Sequence, residues 1–255
     1  MRLLIVSTPR SGNMWARRLL RRLYDLEERS THTVEGLDWE RLPERCVVQL
    51  HADRTPDLEQ LLDRYGFQRV VLARHPLDVL VSILHFARHE PETAQWLEGR
   101  GGDEHTILDA DPTSRAFVRY ATGARASALL HVTPQWWETT PARIRYRNLV
   151  WQPTATLAEV VEALDEQPRT PVERAIDDVT FSTLKQEARN QHFWRGQPDG
   201  WRYLLTPRIA HKIVRAHRDV FDQLGWEVAP DESLSKRMAR THWRELLVPS
   251  ETNAA

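Results

Sequence analysis

The chain has 255 residues, with 35 Lys plus Arg against 36 Asp plus Glu and a formal net charge of −1. That length makes one large domain or two small ones and suffices to bury a core, and 41% apolar with 28% charged residues is the composition of a folded globular chain. Near-zero charge gives no reason to expect a nucleic-acid partner, and Cys46 as the only cysteine excludes an internal disulfide and a thiolate-rich metal site. The longest early apolar run, Leu3 to Val6, is far too short for a signal peptide or a membrane span, so the expectation is a reduced, soluble, cytoplasmic protein. Ten tryptophans stand out. They suit stacking on rings or sugars, with core filling the expectation for most of them.

In chain order, RLLIVS at 2–7 is a buried strand running into the turn residues 8–12. From Asn13, Met14, Leu19, Leu20 and Leu23 mark the apolar stripe of a helix to about Tyr24, and Arg17, Arg18, Arg21 and Arg22 read as its solvated face. Cys46 to Leu50 is a second buried strand, Asp57 to Tyr65 a helix, and Val70 to Ala73 a third strand. Pro76 opens another helix that continues to about Arg88. Alternating helices and continuously apolar strands predict an α/β fold, a central parallel β-sheet flanked by helices.

Glu90 to Asp111, with Pro91, Gly99, Gly101 and Gly102, reads as a long surface segment of the kind that serves as a lid or binding loop. Further helices are expected over Ser114 to Leu130, Thr156 to Leu164 and Pro207 to Leu224, the last closed by Gly225, with a fourth short strand at Ile144 to Tyr146. After Glu227 comes one basic amphipathic piece, Ser235 to Leu247, and a frayed end. There is no repeat, no low-complexity tract and no evident domain boundary.

Two elements carry chemistry. STPRSGNMW at 7–15 is a glycine turn feeding a helix N-terminus, where unpaired backbone N–H groups and the helix dipole hold a phosphate and Arg10 adds a fixed charge. It lacks the Gly-Lys-Ser/Thr of a Walker A loop, and a purely structural turn is the alternative. In VLARHPLDVLVSILHF at 71–86, Arg74 leaves a strand end and Ser82 follows on the next helix, sharing a face with Asp78. The pair suits a second anion; an arginine capped by Asp78 and a serine bonded to its own helix is the structural alternative.

Four blocks in order then resemble the sulfotransferases that use 3′-phosphoadenosine 5′-phosphosulfate (PAPS). STPRSGNMW resembles their 5′-phosphosulfate loop, and Arg74 with Ser82 their 3′-phosphate element. RIRYRNLV at 143–150 and FWRGQPDGW at 193–201 resemble two downstream motifs, so the resemblance covers most of Leu3 to Trp226. It implies the P-loop-nucleotide-kinase-like sulfotransferase fold as a single domain over 1–255, with a core of about 2–226 and a helical tail over 227–255. It also implies PAPS as co-substrate, 3′,5′-bisphosphoadenosine (PAP) as product, and no metal.

By this resemblance Arg10 stands for the family's usual Lys at the 5′-phosphate and bridging oxygen. Ser11, Gly12, Asn13 and Met14 supply donors, and Trp15 stacks on adenine. Arg74 and Ser82 grip the 3′-phosphate, Arg195 and Gly196 close over it, and Tyr146 and Phe181 line the adenine pocket. Arg147 and Asn148 replace an acidic pair of the family motif. His51, just after the second apolar strand, matches the catalytic base, with Gln49 where the family has Lys. An imidazole titrating near neutrality suits removal of a proton from an attacking hydroxyl.

The implied acceptor is a hydroxyl of a small molecule or glycan (carbohydrate, phenol or natural product), with His85, His89, Trp96 and His105 as candidate acceptor contacts. Trp136 and Trp137 could also cover the acceptor, with core packing before the fourth strand the expectation for both. Neither acceptor identity, oligomeric state nor the role of the basic tail is specified by these residues. Two other readings stay open: a nucleotide-kinase-like phosphate-loop enzyme, and a non-catalytic PAP- or PAPS-binding protein.

Overall fold

The computed structural model describes residues 1–31, 33–89, 102–180, 182–184 and 196–247. The chain forms two compact units, Met1–His75 with Ala128–Pro198, and Pro76–Ser127 with Asp199–Ala255.

The first unit is built on a parallel five-stranded sheet of order β2-β3-β1-β4-β5. The strands are β1 (Arg2–Val6), β2 (Glu27–Ser30), β3 (Cys46–Leu50), β4 (Phe67–Ala73) and β5 (Ala142–Arg145). Leu3 to Val6 are fully buried, which is why β1 reads as a continuous apolar run: parallel strands covered on both faces lose the polar alternation. On one face Leu3, Ile5, Val47, Val70 and Leu72 pack with Leu19, Leu20 and Leu23 of α1 (Asn13–Tyr24). Leu157 and Val160 of a later helix, Pro153–Leu164, join them. Helix α2 (Pro56–Arg64) and the helix Val132–Trp137 contact β4.

β1 connects through α1 to β2 on one side, whereas β4 is followed by the chain that returns to β5 on the other. The chain therefore leaves the adjacent carboxyl ends of β1 and β4 in opposite directions, the arrangement that opens a ligand crevice in α/β sheets. Both predicted anion-binding elements begin at these two strand ends.

Strand β2 has no counterpart in the sequence reading. Its residues, EERS, carry no apolar pattern because it is an edge strand paired only with β3. It also revises the arginine face of α1. Glu28 of β2 pairs with Arg17 (3.8 Å) and Arg18 (3.4 Å), and the Arg17 side chain is only 12% exposed, so burial lowers its pKa. The fourth predicted strand, Ile144 to Tyr146, shifts to β5 at Ala142–Arg145, and Tyr146 instead opens a helix to Trp151.

In the second unit, α3 (Pro76–His89) is buried over nearly its whole length. The predicted helix over 114–130 is two, α4 (Arg115–Ala121) and α5 (Ala124–Leu130). Thr122 Oγ1 turns back to the carbonyl of Val118, and Gly123 closes a tight turn to the carbonyl of Tyr120. In chain order α6 (Val132–Trp137), α7 (Tyr146–Trp151), α8 (Pro153–Leu164) and α9 (Val172–Asp178) belong to the first unit. The second unit resumes with α10 (Pro207–Ala216), α11 (Arg218–Gln223) and α12 (Lys236–Leu247).

The single helix expected over 207–224 breaks at His217, whose φ of −130° is non-helical and whose Nε2 lies 2.8 Å from the carbonyl of Ala121. Helix α12 is the basic piece foreseen in the tail. It is docked through buried Trp243 and through Arg240, whose Nε donates to Thr113 Oγ1 at 2.9 Å. A buried ion pair, Arg125 Nε to Glu104 Oε1 at 2.8 Å, sits beside the Tyr120 hydroxyl, which donates to the same oxygen at 2.9 Å. Trp39, Trp136, Trp137, Trp201 and Trp243 are buried, as expected for core filling, while Trp151 is exposed. No described helix is long and apolar enough to cross a membrane.

Candidate active site

The loop after β1 reverses sharply before α1. Arg10 (φ 66°) and Gly12 (φ 102°) both adopt left-handed backbone, which turns successive N–H groups inward as an anion-binding nest. Gly12 caps α1 without a side-chain bond, so the first-turn amides of Asn13, Met14 and Trp15 have no acceptor within the helix. Ser11 is fully buried, and its Oγ has no hydrogen-bond partner among the described residues. A buried hydroxyl beside a helix N-terminus with no acceptor in reach fits a phosphate oxygen.

The loop is braced from several elements. Ser7 Oγ donates to Asn13 Oδ1, and the Asn13 amide reaches the Thr8 carbonyl at 3.5 Å. Asn13 thus spends its side chain on the loop and leaves only its backbone N–H for an anion. Thr133 on α6 accepts the Thr8 N–H at 2.7 Å and lies 3.0 Å from Thr8 Oγ1. The sequence reading missed Thr133; a threonine 125 residues from its partner carries no local pattern.

Arg74 follows the end of β4. Its Nη1 donates to the carbonyl of Arg10 at 3.0 Å, and its guanidinium lies over the Tyr146 ring at 4.7 Å from the centroid. Arg74 Nε is buried with no hydrogen-bond partner among the described residues, a free donor in a rigid fork suited to phosphate. Tyr146 also backs the loop after β1: a Cβ on Gly12 would lie 2.5 Å from Tyr146 Cδ2. Trp15 meets the Tyr146 ring edge-on at 6.3 Å, while its indole N–H donates to the carbonyl of Val179 at 3.0 Å. Arg10, Ser11, Gly12, Trp15, Arg74 and Tyr146 are therefore one constellation. Met14 lies half-buried on the first turn of α1.

His51, 3% exposed, follows β3. Its Nδ1 lies 2.8 Å from the Ser7 carbonyl and its Nε2 3.2 Å from Gln49 Nε2. Ser7 thus ties the histidine to the loop after β1.

The remaining candidates are distributed differently. Ser82 is buried on α3, in the second unit, and shares its face with Asp78. The two oxygens of Asp78 accept the backbone N–H groups of Asp199 (2.8 Å) and Trp201 (3.0 Å), which are both in its own unit. Asp78 therefore holds the turn of the FWRGQPDGW block, where Asp199 has a left-handed φ of 62°. Gly196 is left-handed at φ 68°, as the tight turn of that block requires.

His85 and His89 stack at 4.1 Å between centroids, with Trp243 edge-on to His85 at 6.3 Å. His105 is exposed and bonds through Nδ1 to the Gly102 carbonyl, and no contact joins it to those two rings among the described residues. Phe181, Trp96 and Arg195 lie outside the described residues.

The sequence profile of the sulfotransferase domain matches residues 1–225. Among curated proteins no sequence matches the chain. Among solved structures, mouse sulfotransferase SULT7A1 complexed with PAP is similar in fold at 17% identity, with a TM-score of 0.65 over 89% of each chain. Retinol dehydratase in complex with androsterone and PAP is similar at 14% identity, with a TM-score of 0.61 over 89% of this chain and 82% of that one. The fold is thus that of the sulfotransferases, and the chain belongs to the sulfotransferase domain family.

Proposed function

We propose that the chain transfers the sulfuryl group of PAPS to a hydroxyl acceptor, with His51 as general base. The observation that carries the reading is the joined pair of unsatisfied donors at the ends of β1 and β4. Ser11 Oγ and Arg74 Nε are both buried without partners among the described residues, and the Arg74–Arg10 bond links their two elements. One nucleotide with phosphates at its 5′ and 3′ positions would satisfy both.

In this reading the loop amides, Ser11 and Arg10 bind the 5′-phosphate, and Arg74 binds the 3′-phosphate. Tyr146 and Trp15 line the base. PAPS supplies an activated sulfuryl group. His51 Nε2 takes the acceptor's proton as the acceptor oxygen bonds to sulfur. The S–O bond to the phosphate breaks with its electron pair left on that oxygen, where Arg10 and the helix N-terminus stabilise the charge. The products are PAP, a sulfate ester and one proton, which leaves His51 for solvent.

The retinol dehydratase structures hold androsterone and retinol, and a similar small hydroxyl compound, a phenol or a sugar is the acceptor class proposed for this chain.

The test is transfer of label from radiolabelled PAPS to a panel of phenols, sugars and polycyclic alcohols. A labelled ester is expected, and Arg10→Ala lowers its rate by roughly a hundredfold or more, the scale of one preorganised donor. Tight PAP binding with no transfer to any panel member supports the non-catalytic binding protein instead. Phosphorylated product from ATP with Mg²⁺ supports the kinase-like enzyme.

A further inference from the structure

The contacts of His51 assign a role to Gln49 that goes beyond occupying the family's lysine position. A main-chain carbonyl only accepts, so the 2.8 Å contact with the Ser7 carbonyl places a proton on His51 Nδ1. In neutral His51 the lone pair is then on Nε2, the nitrogen 3.2 Å from the Gln49 side-chain nitrogen. The Gln49 amide therefore donates to the lone pair that has to take the acceptor's proton. Its other end is idle: Gln49 Oε1 is buried and has no hydrogen-bond partner among the described residues.

The backbone leaves this side chain as the adaptable part. Gln49 pairs with Ile5 and Ser30 within the sheet, and its carbonyl accepts the Thr31 N–H at 3.1 Å. Gln49 and His51 are two residues apart along an extended segment, so their side chains leave the same face. The terminal torsion of glutamine is broad and two-fold, which makes exchange of NH₂ for O an accessible motion.

We infer that Gln49 is the positioning residue of the base: it donates to Nε2 of neutral His51, then turns its amide so that Oε1 accepts from Nε2–H once the ring is protonated. The inference rests on His51 being the base. The proton leaves the acceptor hydroxyl and joins Nε2; the orphaned Oε1 receives that N–H, and the amide NH₂ swings away from it. A lysine in this position only donates and cannot follow the second state, whereas a glutamate only accepts.

The experiment is ¹H–¹⁵N spectroscopy of histidine-labelled protein at fixed pH, combined with kinetics on the acceptor found in the panel and calorimetry with PAP. Wild-type His51 is expected as the Nδ1–H tautomer. In Gln49→Leu its Nε2 resonance moves toward the unbonded position, Nδ1 stays, and PAP affinity holds within about twofold. Turnover falls about tenfold, the worth of one hydrogen bond to a charged group, with KM for PAPS unchanged. Gln49→Glu keeps more turnover than Gln49→Leu because it still accepts from the protonated ring.

An Nε2–H tautomer in the wild type, or an Nε2 resonance unmoved in Gln49→Leu, overturns the inference even for a chain that transfers nothing. Wild-type turnover in His51→Asn overturns the base reading instead, separately from the Gln49–His51 contact.

Discussion

The guanidinium of Arg74 donates to the main-chain carbonyl of Arg10 at 3.0 Å. The bond joins the two strand ends that frame the sheet's crevice and holds a carbonyl whose residue is in left-handed backbone, φ 66°. A non-glycine residue there costs about 1–2 kcal/mol, and the Arg74 bond helps offset that cost. The same guanidinium keeps its Nε unspent. In the proposed reading Arg74 therefore shapes the 5′-phosphate loop while presenting a donor to the 3′-phosphate, so its substitution should disturb both.

Tyr146 limits what Gly12 can become. In Gly12→Ala the new Cβ would lie 2.5 Å from Tyr146 Cδ2 at a φ of 102°. Displacing the ring also removes the face on which Arg74 rests. The expected loss is about 2 kcal/mol or more of stability and at least about tenfold in PAP affinity. The double variant Gly12→Ala/Tyr146→Ala should recover part of the stability by relieving the clash, while the φ strain remains. Chemical denaturation and calorimetry check both; an unperturbed Gly12→Ala would mean that the loop rests on other contacts.

Thr133 is a remote brace. Thr133→Val keeps the shape but removes the acceptor of the Thr8 N–H. Leaving that buried donor unpaired costs about 1–3 kcal/mol, and PAP binding should weaken with it. Urea denaturation with PAP titration measures both. A stability change near zero would show that Thr8 finds another acceptor.

In the second unit the Glu104–Arg125 pair is 1–2% exposed. Burial, then the adjacent Glu104 carboxylate, raises the Tyr120 pKa well above its usual value. Glu104→Ala leaves a buried guanidinium without this carboxylate and should cost about 3–5 kcal/mol. The double variant Glu104→Leu/Arg125→Leu should cost much less, because breaking a pair is worse than replacing it. Equal losses in the two variants would contradict this.

Acid lability should follow Asp178. Its pKa is lowered chiefly by the hydrogen bond from Arg22, whose Nε lies 2.7 Å from Asp178 Oδ2 and ties α9 to α1. With the folded pKa below the unfolded value of about 3.9, the stabilisation is present above that value and is lost as pH falls through the folded pKa. The Tm gap between wild type and Asp178→Asn should hold from neutrality to about pH 5 and close in more acid solution. A gap that persists unchanged at low pH would assign the effect to packing.

How far the sequence could be read follows from where each signal lies. β1, β3, β4 and α1 were legible because burial on both faces of a parallel sheet leaves apolar runs, and one-sided burial leaves a helical stripe. β2 was hidden: an edge strand of four polar residues answers only to its pairing with β3. The helices over 114–130 and 207–224 kept their apolar period across breaks set by Gly123 and by the His217 bond to Ala121.

At the site, Arg10, Ser11, Gly12 and Arg74 were visible from the glycine turn and the strand end. The work of Tyr146 behind Gly12 and under Arg74 needs the tertiary structure, as do the bond from Thr133 and the capture of the Asp199–Trp201 turn by Asp78. Each of these joins residues distant in the chain, and side chains paired in that way leave no spacing to read.

The most direct test of the whole account is calorimetric binding of PAP against 5′-AMP, in the wild type and in Arg74→Lys. A preference for PAP of about tenfold or more, some 1.4 kcal/mol, that largely disappears in Arg74→Lys is the predicted result. Equal affinity for the two compounds in the wild type would mean that no 3′-phosphate is held at Arg74, and the reading of this site as a PAPS site would be contradicted.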